Sequence, residues 1–311
     1  MKRLIALLLV VFFGWLVIRE LWLRDPAADA VEKTVMVEQG SGVSFIAELL
    51  KDEDIIESPF LFKVYAKLLR VEGRLQPGAF SLKSGMSTHD VLRRMTDPTA
   101  TELTLTFPEG WTLAKMGDYL EAEGVTTRAA WDAVATRDLE GYLFPDTYRF
   151  LKGVIPEDMV KRLRREMDEK LEELAPALEA SGRTTHEILT MASILEQEVR
   201  SPEDRRLVAD LFWRRLDIGM ALQADSTVNY VTGKDTPSIS YADRDIDSPY
   251  NTYKYRGLPP GPISNPGLDA IRAALEPAAN PYFFFLTDAE GKVYYAKTLE
   301  EHNVNKARYL R

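Results

Sequence analysis

The sequence predicts the α+β fold class: a single N-terminal transmembrane helix, a small β-α-α-β module and a larger mixed α+β domain. Three observations lead to this prediction. An apolar run opens the chain, a strand-helix-helix-strand order follows it, and the remainder mixes helical apolar spacing with short alternating segments. We therefore divide the chain into residues 1–30, 31–100 and 101–311.

The composition is that of an ordinary globular protein, and it excludes several kinds of site. The 311 residues carry a net charge of −9, which argues against nucleic acid as a general partner. The chain has no Cys, and its three His residues lie far apart, so neither a disulfide nor a zinc site is expected. No phosphate-binding glycine loop is present, and no metal or organic cofactor is expected.

The N-terminus is predicted to anchor the chain in a membrane. Met1-Lys2-Arg3 precedes the apolar run, and the stretch from Leu4 to Leu23 matches the roughly 20 residues that span a bilayer. Positive charge before the run predicts a cytoplasmic N-terminus, with the remainder of the chain exported. A cleaved signal peptide is the alternative, because Ala28-Asp29-Ala30 resembles a cleavage site. The length of the run favours the uncleaved anchor.

The residues after the anchor predict a compact module. We expect a strand over 34–37, helices over 44–56 and from Ser58 onward, a strand within 75–82, and a third helix over 87–95. The β-α-α-β core of this module resembles LysM modules, small domains that bind glycans containing N-acetylglucosamine. The alternative is a packing module or spacer that binds nothing.

The larger domain is predicted to open with an alternating strand and then to continue as helices and loops. Strands and helices are expected over 101–107, 112–122, around Trp131, over 156–180, from Ser201-Pro202 to about 216, over 282–286 and 293–296, and from near Leu299. The two strands over 282–296 predict a hairpin, the first strand of which is buried. Loops are expected to dominate from Leu222 onward.

Residues 184–200 predict a helix that contains a carboxyl group beside an apolar stripe. Thr184 and Glu187 have the spacing of a capping box, which indicates a helix start. The apolar stripe comprises Ile188, Met191, Leu195 and Val199. Beside it, Glu196 follows two small residues, and it is either a surface acid supported by Arg200 or an acid held beside a groove. Glu198 lies about 200° around the helix from Glu196, so the two are not a catalytic pair.

Three further segments lack any period and predict loops. Residues 139–148 are aromatic, and their side chains either stack on sugars or fill the core. Residues 222–227 predict a polar turn. Residues 248–267 combine Pro, Gly and Tyr over a length of irregular chain that is usually functional.

Six segments, in order along the chain, carry a family resemblance. They are 107–110 (FPEG), 140–148 (EGYLFPDTY), 192–196 (ASILE), 222–225 (LQAD), 250–253 (YNTY) and 257–263 (GLPPGPI), with His302-Asn303 near the end. Together they resemble the endolytic murein transglycosylases, the MltG or YceG-like proteins of bacterial inner membranes. Two departures are visible, Gln197 in place of a basic residue and Ser226 in place of a proline.

The resemblance implies a lyase that cuts peptidoglycan without water. In such enzymes a glutamic acid protonates the leaving oxygen between N-acetylmuramic acid and N-acetylglucosamine, and the 6-hydroxyl of the muramic acid attacks the anomeric carbon. The product ends in 1,6-anhydro-muramic acid. One carboxyl suffices, unlike in ordinary glycosidases. The resemblance assigns this role to Glu196, whose pKa a dry setting would raise.

Other residues are predicted to bind or position the substrate. These residues are Tyr142, Asp146, Ser193, Gln223, Asp225, Tyr250, Asn251 and Tyr253. Asp146 and Asp225 are also candidates for a second acid, and the alternative for each is an aspartate that caps a turn. Ala192 and Ser193 are small enough to let a sugar approach Glu196.

The expected partners are peptidoglycan glycan strands, the inner membrane through one helix, and, from the resemblance alone, peptidoglycan synthases. The catalytic domain is then expected on the outer face of the bacterial inner membrane. A non-catalytic glycan-binding scaffold and a hydrolytic muramidase are the alternative functions.

Overall fold

The structure is a computed structural model that describes residues 14–15, 18–23, 32–97, 102–234, 236 and 239–310. The chain divides into two compact units. The first comprises Met1–Leu105 and Tyr148–Val154, and the second comprises Thr106–Thr147 and Ile155–Arg311. Both helices and strands are present, which confirms the α+β class.

The predicted transmembrane helix over 4–23 lies mostly outside the described residues. The described part of this stretch includes a short π-helix over Arg19–Leu23. Trp22, within it, stacks on His89 with ring centroids 4.1 Å apart. Across the described ranges, no helix combines the length and the apolar character needed to cross a membrane. The anchor therefore stays a prediction.

The first unit has the expected β-α-α-β order followed by a third helix. Its elements are β1 (Glu32–Val37), α1 (Val43–Asp52), α2 (Pro59–Leu68), β2 (Gly78–Lys83) and α3 (Thr88–Thr96), with a 3-10 turn over Glu72–Arg74. Ser58 caps α2, and Pro59 occupies its first position, where a missing N–H costs nothing. Strands β1 and β2 are antiparallel with Val35 opposite Phe80, and both side chains lie in the core of the unit. The likeness to LysM modules stays a prediction.

The second unit is mostly helical. Its helices are α4 (Leu113–Ala122), α5 (Arg128–Val134), α6 (Pro156–Glu173), α7 (Ala175–Ser181), α8 (Thr185–Glu198), α9 (Pro202–Asp217), α10 (Asp225–Thr232), α11 (Tyr241–Arg244), α12 (Leu268–Leu275) and α13 (Leu299–Tyr309). Strands β3 (Glu102–Thr106) and β4 (Thr147–Leu151) pair with each other and fall almost entirely within the first unit, whereas β5 (Phe284–Thr287) and β6 (Val293–Ala296) pair within the second. The predicted helix over 156–180 is two helices, because Pro176 lacks the N–H that a continuous helix needs.

Helix α8 is the centre of the second unit. Its capping box forms as predicted: Thr184 accepts from the Glu187 backbone N–H, and the Glu187 carboxylate accepts from that of Thr184. Every residue from Ile188 to Leu195 is buried, because α9, α10 and α12 all pack against the helix. The predicted apolar stripe is buried as expected, and burial extends beyond it around the whole middle of α8, which is a core helix there.

The C-terminal part has more regular structure than expected. The polar turn predicted over 222–227 gives way to α10 at Asp225, and α12 follows directly after Gly267. Proline and glycine just before α12 obscured its start, whereas its buried residues Ala270, Ile271 and Ala274 have helical spacing. The hairpin is confirmed, but β5 is half-buried because only Leu286 of its four residues is fully covered.

Candidate active site

Glu198 is the last residue of α8, and its carboxyl group lies against the start of α10. The Ser226 hydroxyl donates to Glu198 Oε1 at 2.7 Å, and the Ser226 backbone N–H donates to the same oxygen at 3.2 Å. Burial raises the pKa of Glu198 to about 7, and Asp225 adds to this effect; both Ser226 hydrogen bonds and Arg215 oppose it. The residue nevertheless keeps some exposure to solvent. A carboxyl that is half protonated near neutral pH and reachable from solvent suits a general acid.

Asp225 and Tyr253 stand beside this carboxyl. The Tyr253 hydroxyl donates to Asp225 Oδ1 at 2.5 Å. Burial raises the Tyr253 pKa, and the Asp225 contacts and the charge on Glu198 raise it further. Arg215 lies on the same side, where burial lowers its pKa to about 10. Its guanidinium donates to the carbonyl oxygens of Leu222 and Phe283, both at 2.5 Å. Arg215 thus fixes the turn that leads into α10.

Gln223 projects from that turn with a strained backbone. Its φ of 53° lies in the left-handed region, which is unfavourable for a residue with a side chain. The Gln223 N–H donates to the Thr252 carbonyl at 3.2 Å, and the Ala224 N–H donates to the Thr252 hydroxyl at 3.1 Å. The side chain is exposed. Strain of this kind persists where the surroundings enforce it and is concentrated at functional sites.

Glu196, the acid predicted from the sequence, has different partners. It forms an ion pair with Arg205, and its second oxygen accepts the Gly267 backbone N–H at 3.0 Å. Only 5% of the Glu196 side chain and 8% of the Arg205 side chain are exposed. Burial raises the Glu196 pKa, and Arg205 opposes this most strongly. Both oxygens are therefore engaged, and the catalytic role of Glu196 stays a prediction.

Tyr142 lies apart from Glu198, and Asp146 makes a local contact. The Tyr142 hydroxyl is 2.9 Å from Nδ1 of His186, in the first turn of α8, so about 18 Å of helix separates this contact from Glu198. A cavity of about 370 Å³ opens at this end, lined by residues that include Arg183, His186, Glu187, Trp213 and Leu258. Asp146 is exposed, and its carboxylate accepts the N–H of Thr147, the first residue of β4, at 2.6 Å; its part in substrate binding stays a prediction.

Three predicted substrate residues are buried and hold loops together. Ser193 is fully buried and accepts the Ile263 N–H at 3.0 Å. Asn251 is 1% exposed and donates to the carbonyls of Arg244 and Ile246. Tyr250 is 7% exposed and packs under the Arg137 guanidinium. Neighbouring chain covers Ser193, Asn251 and Ala192. Direct contact of Ser193 or Asn251 with a sugar is therefore contradicted, and so is the approach of a sugar past Ala192.

Two buried polar residues were missed, Glu140 and Asn265. Glu140 accepts from the Leu113 N–H, from Asn265 Nδ2 and from the Tyr230 hydroxyl, and burial raises its pKa to about 7.

The sequence interpretation passes over Glu198 because this residue does not face Glu196. One signal could have found it: Glu198 follows Met191 by seven residues and Leu195 by three, so it continues the apolar stripe.

The chain is similar to known proteins over most of its length. The YceG-like family model matches residues 35–308. The endolytic murein transglycosylase of Bacillus subtilis (strain 168) is 34% identical over 318 residues, covering 93% of this chain and 88% of that protein. The endolytic murein transglycosylase of Streptococcus pneumoniae serotype 2 (strain D39) is 32% identical over 343 residues, covering 96% of this chain and 62% of that protein.

A solved structure extends the similarity to the fold. The 2.6 Å crystal structure of a yceG-like protein from Listeria monocytogenes matches with a TM-score of 0.61 at 32% sequence identity. The match covers 89% of this chain and 99% of that one. The family model and these relatives span nearly all of the chain after its N-terminal segment, and the chain therefore belongs to the YceG-like family.

Proposed function

We propose that this chain is an endolytic murein transglycosylase, a lyase that cuts the β-1,4 bond between N-acetylmuramic acid and N-acetylglucosamine in nascent glycan strands. The names of its relatives in Bacillus subtilis and Streptococcus pneumoniae support the general activity. The observation that carries the proposal is the Glu198 carboxyl, which burial holds partly protonated near pH 7 beside Asp225 and Tyr253.

The contacts favour Glu198 over Glu196 as the acid. Both oxygens of Glu196 are engaged, one by Arg205 and one by the Gly267 N–H. Protonating Glu196 would leave the buried Arg205 charge without its partner, at a cost of several kcal/mol. Glu198 has no such ion pair within the described chain, and Ser226 engages only one of its oxygens.

The proposed reaction uses one carboxyl twice. Glu198 gives its proton to the glycosidic oxygen as the bond from the anomeric carbon breaks, and the bonding electron pair leaves with that oxygen. The 6-hydroxyl oxygen of the muramic acid bonds to the anomeric carbon. Its proton passes to the Glu198 carboxylate, which restores the acid. Atoms and charge balance without water, and the new end is a 1,6-anhydro-muramic acid.

Asp225, Tyr253 and Gln223 are proposed to position the sugar. Asp225 fixes the Tyr253 hydroxyl, and its negative charge helps to keep Glu198 protonated. The exposed Gln223 amide, on a backbone held by Thr252, offers both a donor and an acceptor for hydroxyl or acetamido groups. Tyr142 remains a candidate for a more distant part of the strand, because its contact with His186 lies at the opposite end of α8.

The test uses the full-length protein with purified murein and mass spectrometry of the released ends. Anhydro ends from the wild type, abolished in Glu198→Gln and retained by a folded Glu196→Gln, would support the proposal. The reverse pattern would return the catalytic role to Glu196. Reducing ends would identify a hydrolytic muramidase, and binding without cleavage would identify a scaffold.

Membrane anchoring is proposed on the sequence alone. The apolar stretch from Leu4 to Leu23 and the basic residues before it support a single-pass protein of the bacterial inner membrane, with the remainder on the outer side. Alkaline extraction of membranes and a topology reporter fused after Arg311 test this. Release of the protein by alkali, or a cytoplasmic reporter signal, would contradict it. Association with peptidoglycan synthases is proposed from the family resemblance only.

The first unit is proposed to bind glycan. Support comes from its β-α-α-β order, which matches the predicted LysM-like arrangement. Full-length Glu198→Gln protein, if it cannot cut the strand, allows binding to be measured by co-sedimentation with murein. Retention that persists when a soluble N-acetylglucosamine oligomer is added in excess would argue against a glycan site.

A further inference from the structure

We propose that Ser226 is a positioning residue that holds Oε1 of Glu198 with two hydrogen bonds and so leaves Oε2 to carry the transferable proton. This inference rests on the proposed function, since it specifies which oxygen of the acid acts. It is carried by the geometry where the end of α8 meets the start of α10.

Both donors of Ser226 reach the same oxygen. The hydroxyl lies 2.7 Å from Oε1 and the backbone nitrogen lies 3.2 Å from it. A backbone N–H can only donate, so Oε1 must accept. In a protonated carboxyl, the oxygen that accepts two hydrogen bonds is the carbonyl oxygen, and the proton therefore resides on Oε2. Within the described residues no hydrogen bond reaches Oε2, which leaves it available to a substrate.

The local sequence explains why Ser226 takes this role. The first backbone N–H groups of a helix lack partners within the helix and need an acceptor. Ala224 occupies the N-cap of α10 and has no side-chain oxygen to offer. The Glu198 carboxyl supplies that oxygen from the neighbouring helix. The same contact therefore caps the start of α10 and orients the Glu198 carboxyl.

Other charged groups face Glu198 but do not hold it. Asp225, on α10, repels its negative charge, and Arg215, on α9, attracts it. The Arg215 donors are directed to the carbonyls of Leu222 and Phe283. Tyr253, from the loop after α11, gives its hydrogen to Asp225. Orientation of the Glu198 carboxyl therefore depends on Ser226.

Three substitutions at Ser226 remove none, one or both of the hydrogen bonds to Glu198. Ser226→Thr keeps both donors, Ser226→Ala keeps only the N–H, and Ser226→Pro removes both. Proline is tolerated in the first turn of a helix, so Ser226→Pro is expected to fold. Circular dichroism of each variant checks this.

The readout is the pH dependence of kcat/KM on purified murein. An acid that acts when protonated loses activity as pH rises through its pKa. Hydrogen bonds to the charged form lower that pKa, so removing them moves the alkaline limb upward. We expect a shift of about one pH unit in Ser226→Pro and about half of that in Ser226→Ala, with Ser226→Thr unshifted. The plateau value of kcat/KM below the alkaline limb is also expected to fall most in Ser226→Pro and less in Ser226→Ala, because the Glu198 carboxyl is held less well.

A direct titration separates this inference from the proposed function. The side-chain carboxyl of Glu198 is followed by ¹³C NMR, with its signal assigned by its absence in Glu198→Gln. If the wild type releases no murein fragments, the proposed function fails while the titration still reports on Ser226. Equal Glu198 titration in wild type, Ser226→Ala and Ser226→Pro would overturn the inference. So would an activity loss in Ser226→Pro with an unmoved alkaline limb, because that outcome marks a purely structural residue.

Discussion

Asn265 Nδ2 donates a hydrogen bond to Glu140 Oε1 at 3.2 Å, and both side chains are almost completely buried. Asn265 also donates to the Trp111 carbonyl at 3.0 Å and accepts the Leu143 N–H at 3.0 Å. Glu140 accepts the Leu113 N–H at 3.1 Å. One contact thus joins three separate segments of the second unit, each beside or within a motif of the family resemblance.

Glu140 is expected to make stability depend on pH. Burial raises its pKa from 4.5 to about 7, so the folded protein binds a proton that the unfolded chain has released. Stability contributed by protonated Glu140 is therefore present below pH 4.5, falls as pH rises and is lost above about pH 7. The loss amounts to about 3 kcal/mol of unfolding free energy.

Urea unfolding of the full chain at pH 5 and pH 8 measures this effect. Glu140→Gln removes the ionisable group, so its unfolding free energy should fall less between these pH values than that of the wild type. Glu123→Gln, at an exposed carboxyl, serves as the control and should behave as the wild type does. An identical pH dependence in wild type and Glu140→Gln would contradict the prediction.

Arg205→Met is expected to destabilise the second unit by about 3–5 kcal/mol, because it leaves the buried Glu196 carboxylate without its ion-pair partner. The double variant Arg205→Met with Glu196→Met should recover much of this loss, since no unpaired charge remains. Lys161→Met breaks an exposed pair with Asp158 and should cost less than about 1 kcal/mol. Thermal unfolding compares them. A double variant no more stable than Arg205→Met would contradict this prediction.

Gly141→Ala is expected to cost about 3 kcal/mol of unfolding free energy. Its φ of 83° disfavours any side chain, and an added Cβ would lie 2.3 Å from Cβ of Pro262. Gly182→Ala has a similar φ of 65° but nothing within 4 Å, so it should cost only about 1 kcal/mol. Denaturant midpoints measure both. Equal costs would show that the contact with Pro262 yields easily.

Gln223→Gly is expected to reduce activity without reducing stability. Glycine relieves the strain at a φ of 53°, and this gain of about 1 kcal/mol offsets the greater entropy of the unfolded chain. Loss of the amide should lower kcat/KM on murein about tenfold, as expected for the loss of about 1.4 kcal/mol of binding.

Arg70 provides the matched control for Gln223. Its φ of 56° is nearly the same, and it lies in the first unit, just after α2. Arg70→Gly should change stability as Gln223→Gly does while leaving kcat/KM unaltered. If both variants retain full activity, the Gln223 amide does not contact the substrate.

Local sequence was enough to predict the ends of many helices. Side chains at Ser58, Ser87 and Thr184 accept backbone N–H groups within their own first turns, so no distant contact is required. The hairpin over 284–296 is equally local, because a short turn joins its strands. The family resemblance likewise came from short motifs and is confirmed by the family model.

Burial was harder to predict. Ser193 and Asn251 have polar side chains that suit sugar binding, yet each satisfies backbone groups of a covering loop. Their partners at Ile263 and Arg244 are separated from them by 70 and 7 residues. Polarity alone does not indicate whether the partner of a side chain is a ligand or the chain itself.

By itself the sequence determined the fold class, the capped helices, the family and the presence of two acids on opposite sides of one helix. Only the tertiary structure decided which partner each acid receives. Glu196 meets Arg205, nine residues along the chain, and Glu198 meets Ser226, 28 residues along. The physical reason is that the pKa and accessibility of a carboxyl depend on packed neighbours, and folding brings those neighbours from elsewhere in the sequence.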